Sequence, residues 1–377
     1  MNLRRTRAIA RKEFLHILRD PRSLIMALAI PFLLLLLFGY ALSLDVDRIP
    51  TLIYDSDQSP QSRSLIARLD GSRYFDVLDL VDNTRAIEEA IDRDQCLLGM
   101  VIPSDYGRKI LSGEQMAVQL LLDGSDSNTA SIAKGYAESV IQEQAIELRS
   151  EALNRKGAGA PRPPVEARLR VWYNSEMKSR NYIVPGLIAV IIMIIAAMLT
   201  SLTIAREWEM GTMEQLLSTP VRPTELVLGK MSAFYSVGLI DMLVAMAVGV
   251  LIFQVPLRGS LVLAVAISCL FLFGALGWGI LISSVARQQL LAYQMGILSS
   301  FLPAFILSGF IYAIENMPAI IQAITYIFPA RYFVTILKGI FLKGVGLSIL
   351  WVDVVFLIVY GALVFMIATR KLKKKII

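Results

Sequence analysis

Residues 182–205 read YIVPGLIAVIIMIIAAMLTSLTIA, twenty-four consecutive positions without a charged side chain. A hydrocarbon core about 30 Å thick is crossed by roughly 20 apolar residues in a helix, because backbone groups in lipid have only one another as hydrogen-bond partners. The stretch predicts a transmembrane helix, and the chain around it repeats the signal. Ser23 to Leu44, Met231 to Phe253, Ser260 to Val285, Leu290 to Ala313 and Leu347 to Thr369 are of the same kind, so six spans are expected. A further apolar run, Pro318 to Leu342, carries Pro329 and Arg331 near its middle. A central arginine costs about 2.5–3.5 kcal/mol on insertion scales. This run is therefore read as part of an external re-entrant hairpin over 314–346, with Lys338 and Lys343 snorkelling to the aqueous boundary.

The composition agrees with a membrane protein: 55% of the 377 residues are hydrophobic and 18% charged. The net charge of +6 is unevenly placed. Residues 45–181 hold more acids than bases, so the basic excess belongs to the membrane part, where a bilayer surface accounts for it better than a nucleic acid does. Arg4, Arg5, Arg7, Arg11 and Lys12 precede the first span, and Arg370, Lys371, Lys373, Lys374 and Lys375 follow the last. Six spans put both ends on one side, and the positive-inside rule makes that side the cytoplasm. The first apolar run is too long for a signal-peptide core and is read as a retained helix.

Residues 1–22 read as an amphipathic interfacial helix, with Leu3, Ala10, Phe14 and Ile17 on one face, Arg5, Lys12 and Arg19 on the other, and Pro21 as its end. Residues 370–377 form a basic tail. Between spans one and two, residues 45–181 change to mixed periodicity. Strands are expected at Thr51–Tyr54, Tyr74–Val81, Leu97–Ile102, Ala117–Leu122 and Ala167–Trp172, and helices at Ser62–Leu69, Thr84–Ile91, Tyr106–Leu111 and Ser131–Leu153. Asn83 is placed to cap the second helix. This alternation predicts an inserted extracytoplasmic α/β domain, with Lys156–Pro164 as a linker before its last strand.

Enzyme chemistry finds little support. One histidine, His16, and two cysteines, Cys96 and Cys269, cannot build a His/Cys metal cage. No GxxxxGK[ST] phosphate loop occurs, so the chain does not hydrolyse ATP by itself, and Leu111-Ser112-Gly113-Glu114-Gln115 is a coincidental likeness to an ATPase signature. The informative segment is 206–220, REWEMGTMEQLLSTP. Drawn as a single helix, it places Glu207, Gly211, Glu214 and Ser218 on one stripe and Met210, Met213 and Leu217 on the adjoining one. One side could then meet a partner while the other stays on the membrane domain, and Pro220 would stop the helix.

The pattern ExGTxExLxxTP, present as Glu209, Gly211, Thr212, Glu214, Leu216, Thr219 and Pro220, resembles the first cytoplasmic loop of ABC-2 type transporter permeases. Also similar are Arg19-Asp20-Pro21-Arg22, Tyr182-Ile183-Val184-Pro185-Gly186, Leu307-Ser308-Gly309-Phe310 and Glu315-Asn316-Met317-Pro318. The resemblance covers nearly the whole chain and is closest to the bacterial multidrug and antibiotic-efflux branch. It implies an α-helical polytopic membrane protein of the type V exporter kind, in the bacterial inner membrane, without a cofactor of its own. ATP and Mg would be held by a separate ABC ATPase with two nucleotide-binding domains per complex. The second permease subunit would be a copy of this chain or a paralogue, and a periplasmic membrane-fusion adaptor is a further candidate partner. By the same carry-over Glu207, Glu209, Gly211, Thr212, Glu214 and Leu216 couple the permease to the ATPase. Ile188, Ile191, Met295, Leu298, Phe301 and Phe305 are candidates to line a central cavity for amphipathic cargo.

Asp241 lies near the middle of span three, and an ionisable group at that depth marks a functional or a structural polar site. Two other readings compete with export. A membrane-anchored receptor would need a cytoplasmic output domain, and a secondary transporter would have no use for a docking loop.

Overall fold

The computed structural model describes residues 2–42, 46–155, 172–174 and 178–372. The expected strand at Ala167–Trp172 falls almost wholly outside the described residues; the linker Lys156–Pro164 and the tail lysines 373–375 lie wholly outside them. The chain divides into two compact units, one of residues 1–43 with 171–377 and one of residues 44–170.

The first unit is helical. α1 (Leu3–Arg19) is capped at its start by the Asn2 side chain, which accepts from the Arg4 N–H, and ends at Asp20 just before Pro21 opens α2 (Pro21–Ala41). Proline suits that opening position because the first N–H of a helix has no partner to lose. After the second unit come α7 (Ser179–Glu209), α8 (Thr212–Ser218), α9 (Pro223–Leu251), α10 (Leu261–Ala286) and α11 (Gln289–Ile306). They are followed by α12 (Ala319–Thr325), α13 (Pro329–Lys338) and α14 (Leu347–Lys371). Among the described residues α7, α9, α10, α11 and α14 are long and apolar enough to cross a membrane, and α2 adds the apolar stretch Ala27–Ala41.

α7 is the central helix, packed against α2, α9, α10, α11 and α13. Its contact with α10 is close: a Cβ at Gly279 would lie 2.1 Å from the Thr200 hydroxyl and 2.7 Å from the Ala197 carbonyl. Small residues let membrane helices approach in this way. The fifth apolar run stops earlier than expected, because α11 ends at Ile306 and the chain turns at Gly309 with φ +74°.

The run 318–342 is two helices, with Pro329 starting the second, bent by 85° at the break. Lys338, expected to snorkel to the aqueous boundary, is half-buried and has its partners within the protein. Its ammonium donates to the Gly309 carbonyl (2.8 Å) and sits 3.3 Å from the centre of the Tyr182 ring, whose hydroxyl donates to the same carbonyl.

The second unit carries a four-stranded sheet in the order β2-β1-β3-β4, from β1 (Ile49–Asp55), β2 (Phe75–Leu80), β3 (Leu98–Ile102) and β4 (Gln119–Leu122). β1 pairs parallel with β2 and β3, and β4 closes the sheet antiparallel to β3. Helices α3 (Pro60–Asp70), α4 (Thr84–Asp92), α5 (Tyr106–Ser112) and α6 (Ser127–Arg155) lie between and after the strands. Asn83 caps α4 by accepting from the Ala86 N–H. Buried Ile49, Ile53, Leu65, Leu69, Leu98 and Met100 share one core.

Candidate coupling site

Helix α7 does not continue through the segment that resembles a coupling loop. It ends at Glu209, and Gly211 takes φ +70°, the left-handed region that side chains with a Cβ disfavour. The single-helix drawing of 206–220 is thereby corrected. The glycine reverses the chain, so Met213 turns inward and is buried, Leu216 and Leu217 pack beside it, and Met210 is 66% exposed. Glu209, Met210, Gly211, Glu214 and Gln215 form the outward surface of a knuckle.

Charges hold the base of that knuckle. Lys230, in the second turn of α9, is 1% exposed, and its ammonium donates to Glu13 of α1 and Glu207 of α7, each at 2.9 Å. Lys12 reaches the same two carboxylates at 3.2 and 3.1 Å. Two lysines and two glutamates make a neutral quartet that joins α1, α7 and α9. Burial works to raise the Glu13 carboxyl, but Lys230 and then Lys12 outweigh it and hold the group below its ordinary range. For Lys12 burial opposes the charge, yet Glu13 and Glu207 keep the ammonium above its usual value. The Glu207 Oε2 atom has no partner among the described residues.

Helix α1 grips the far end of the segment as well. Arg5 donates to the Pro220 carbonyl, and buried Glu225, in the first turn of α9, accepts from the Asn2 and Arg222 backbone N–H groups at 2.6 and 3.1 Å. Gly229 makes this crossing possible, since a Cβ there would lie 2.7 Å from the Ile9 side chain and 3.1 Å from the Thr6 carbonyl. On the other side, Glu209 accepts from the Gln289 N–H at the start of α11 (2.8 Å), and Arg287 lies over the Trp208 ring at 4.8 Å. The Thr212 hydroxyl donates to the Glu207 carbonyl at 3.3 Å. Anything that displaces the knuckle therefore pulls on α1, α9 and the turn between α10 and α11 together.

The six residues singled out from sequence thus have different tasks. Glu214 and Gly211 face outward, Glu209 is exposed while capping α11, Thr212 and Leu216 are half-buried, and Glu207 is buried in the quartet. Sequence reasoning missed Lys230, Glu13 and Glu225. The available signal was a lysine and two glutamates each followed directly by a large apolar residue, Met231, Phe14 and Leu226.

Elsewhere, Asp241 is 5% exposed on α9, and its Oδ2 has no partner among the described residues. Ile188 and Ile191 are enclosed in the chain's own core, because α7 is surrounded on all sides, and they line no open surface of this chain. Met295 and Leu298 are exposed on α11. Phe301 and Phe305 are half-buried, with ring centres 5.1 Å apart, and Phe305 also meets Phe310 and Phe38.

Residues 21–370 match the family described as ABC-2 family transporter protein. The chain is similar to the probable multidrug ABC transporter permease YbhS of Escherichia coli strain K12, 38% identical over all of this chain and 98% of that one. It is also similar to the probable multidrug ABC transporter permease YbhR of the same strain, 33% identical over 91% of each. A likeness at 25% identity extends to ABC transporter G family member 20 of Dictyostelium discoideum, over 96% of this chain and 49% of that one.

Proposed function

The chain belongs to the ABC-2 family of transporter proteins, and on that premise we propose that it is the permease subunit of an exporter driven by a separate ATPase. The observation that carries this reading is the knuckle at Met210–Glu214. Its outer side is exposed, and its inner side is fixed to three helices of the bundle. A docked ATPase closing around ATP and Mg would push a rigid element rather than a loose loop, which is what conversion of local closure into helix motion requires. In this reading both chain ends and the knuckle are cytoplasmic, the inserted unit is on the opposite side, and the membrane is the bacterial inner membrane.

The names of the relatives support amphipathic, drug-like cargo, and two permease relatives in one organism support pairing with a paralogue, with a homodimer as the alternative. The exposed Met295 and Leu298 beside Phe301 and Phe305 offer adaptable apolar area for such cargo. The test is a complex reconstituted with its ATPase and carrying Glu214→Lys with Gly211→Val. Permease-stimulated ATP hydrolysis should fall roughly tenfold, a coupling loss of about 1.4 kcal/mol. Unchanged stimulation would refute the assignment.

A further inference from the structure

We propose that the outward face of α1 is a docking surface for anionic phospholipid headgroups. The proposal rests on the membrane reading of the bundle but not on export. Within Leu3–Arg19 the one carboxylate is Glu13, and Lys230 and Lys12 hold it inward. The exposed half of the helix is therefore free of acid. It carries Arg4, Arg7, Arg11 and Arg19, none of which has an ion-pair partner among the described residues.

Between those arginines stand Leu3, Phe14, Leu15 and Leu18, 75, 41, 40 and 50% exposed. A face meant for water has no use for four large apolar side chains, and one sunk in hydrocarbon would not tolerate four guanidiniums. A headgroup boundary takes both, with the apolar groups entering the acyl margin and the arginines pairing with phosphate. The position agrees: α1 crosses the first two turns of α9 and leads through Asp20 directly into α2.

Charge also separates this surface from a protein partner. The knuckle offers Glu209 and Glu214, so a protein complementary to it presents basic groups, of the same sign as the arginine face.

The experiment takes the full-length chain in detergent, supplied with equal amounts of phosphatidylcholine and phosphatidylglycerol, and counts the retained lipids by native mass spectrometry. Phosphatidylglycerol should be preferred, and the preference should drop by about fivefold for each of Arg4→Gln, Arg7→Gln and Arg11→Gln. The three matching lysine substitutions should keep it, and Arg85→Gln with Arg93→Gln on the inserted unit should leave it unchanged. For the unaltered protein, hydrogen exchange over α1 should be slower in bilayers containing phosphatidylglycerol than in phosphatidylcholine alone. That difference should vanish in about 0.5 M salt, where screening shortens to a few ångströms. Equal retention of the two lipids, or a preference that survives the three glutamines, overturns the proposal. So does a glutamine variant that loses a co-purifying ATPase while keeping its lipid preference, which would assign the face to a protein.

Discussion

Lys230 is the residue on which the junction turns, because it is the fully buried one of the two lysines that neutralise Glu13 and Glu207, and it makes the shorter contacts to both. Lys230→Met should lower stability by about 3–5 kcal/mol, the usual cost of leaving a buried charge without its partner. Adding Glu13→Gln and Glu207→Gln should restore much of that loss, and thermal unfolding of the purified protein reads both changes. The pH dependence follows from Glu13, whose carboxyl is lower in the folded protein than the ordinary 4.5. Its contribution is complete above the unfolded value and disappears as pH falls through the folded one. Acidification from about pH 5 downward should therefore release α1, seen as protease cleavage within Leu3–Arg19 while the apolar spans stay protected. Asp241 makes the opposite prediction. An unpartnered buried carboxyl is a burden on the fold, so Asp241→Asn should raise the melting temperature while slowing export. A lower melting temperature would instead mean that Asp241 holds a structural partner.

At the scale of elements, two glycines decide whether the junction can form. Gly211→Val places a β-branched residue at φ +70°, at a cost of about 1–2 kcal/mol. Gly229→Leu drives a side chain into Ile9 and the Thr6 carbonyl, so α1 should lift from α9 and cross-linking between residues 9 and 229 regions should fail. Five of the six expected spans and the first four strands were legible in the sequence, because apolar length and alternation are local properties that tertiary packing seldom reverses. The quartet was not: Glu13 and Lys230 are 217 positions apart, and Lys12 and Glu207 are 195 apart. Periodicity shows which residues share a face but not which face packs. The grouping of Leu3 and Phe14 with Ala10 and Ile17 therefore divides in the structure, the first two outward and the others inward. The run Arg206–Pro220 was misdrawn for a related reason, since glycine is permitted in a helix and only the local turn fixes Gly211 in the left-handed region.

At the scale of the whole molecule, the two units have separate hydrophobic cores. Among the described residues, the bundle core is drawn from the first unit, and the sheet core, with the smaller cluster around Leu52, Ile87, Ala90 and Cys96, is drawn from the second. Cooperative unfolding is a property of a shared core, so separate cores should melt as separate transitions. Ile53→Ala, at a fully buried position of β1, should destabilise the inserted unit by about 2–5 kcal/mol. Hydrogen exchange should then rise across β1–β4 and α3–α5 but stay at its original rate in α7, α9 and α10. The separation also bears on coupling. The charged junction lies wholly within the first unit, between α1, α7, α9 and the start of α11. An Ile53→Ala complex should therefore retain permease-stimulated ATP hydrolysis at temperatures where its inserted unit is already unfolded. Loss of stimulation at that lower transition would show that the sheet unit takes part in the power stroke, and the junction could no longer be the sole mechanical route.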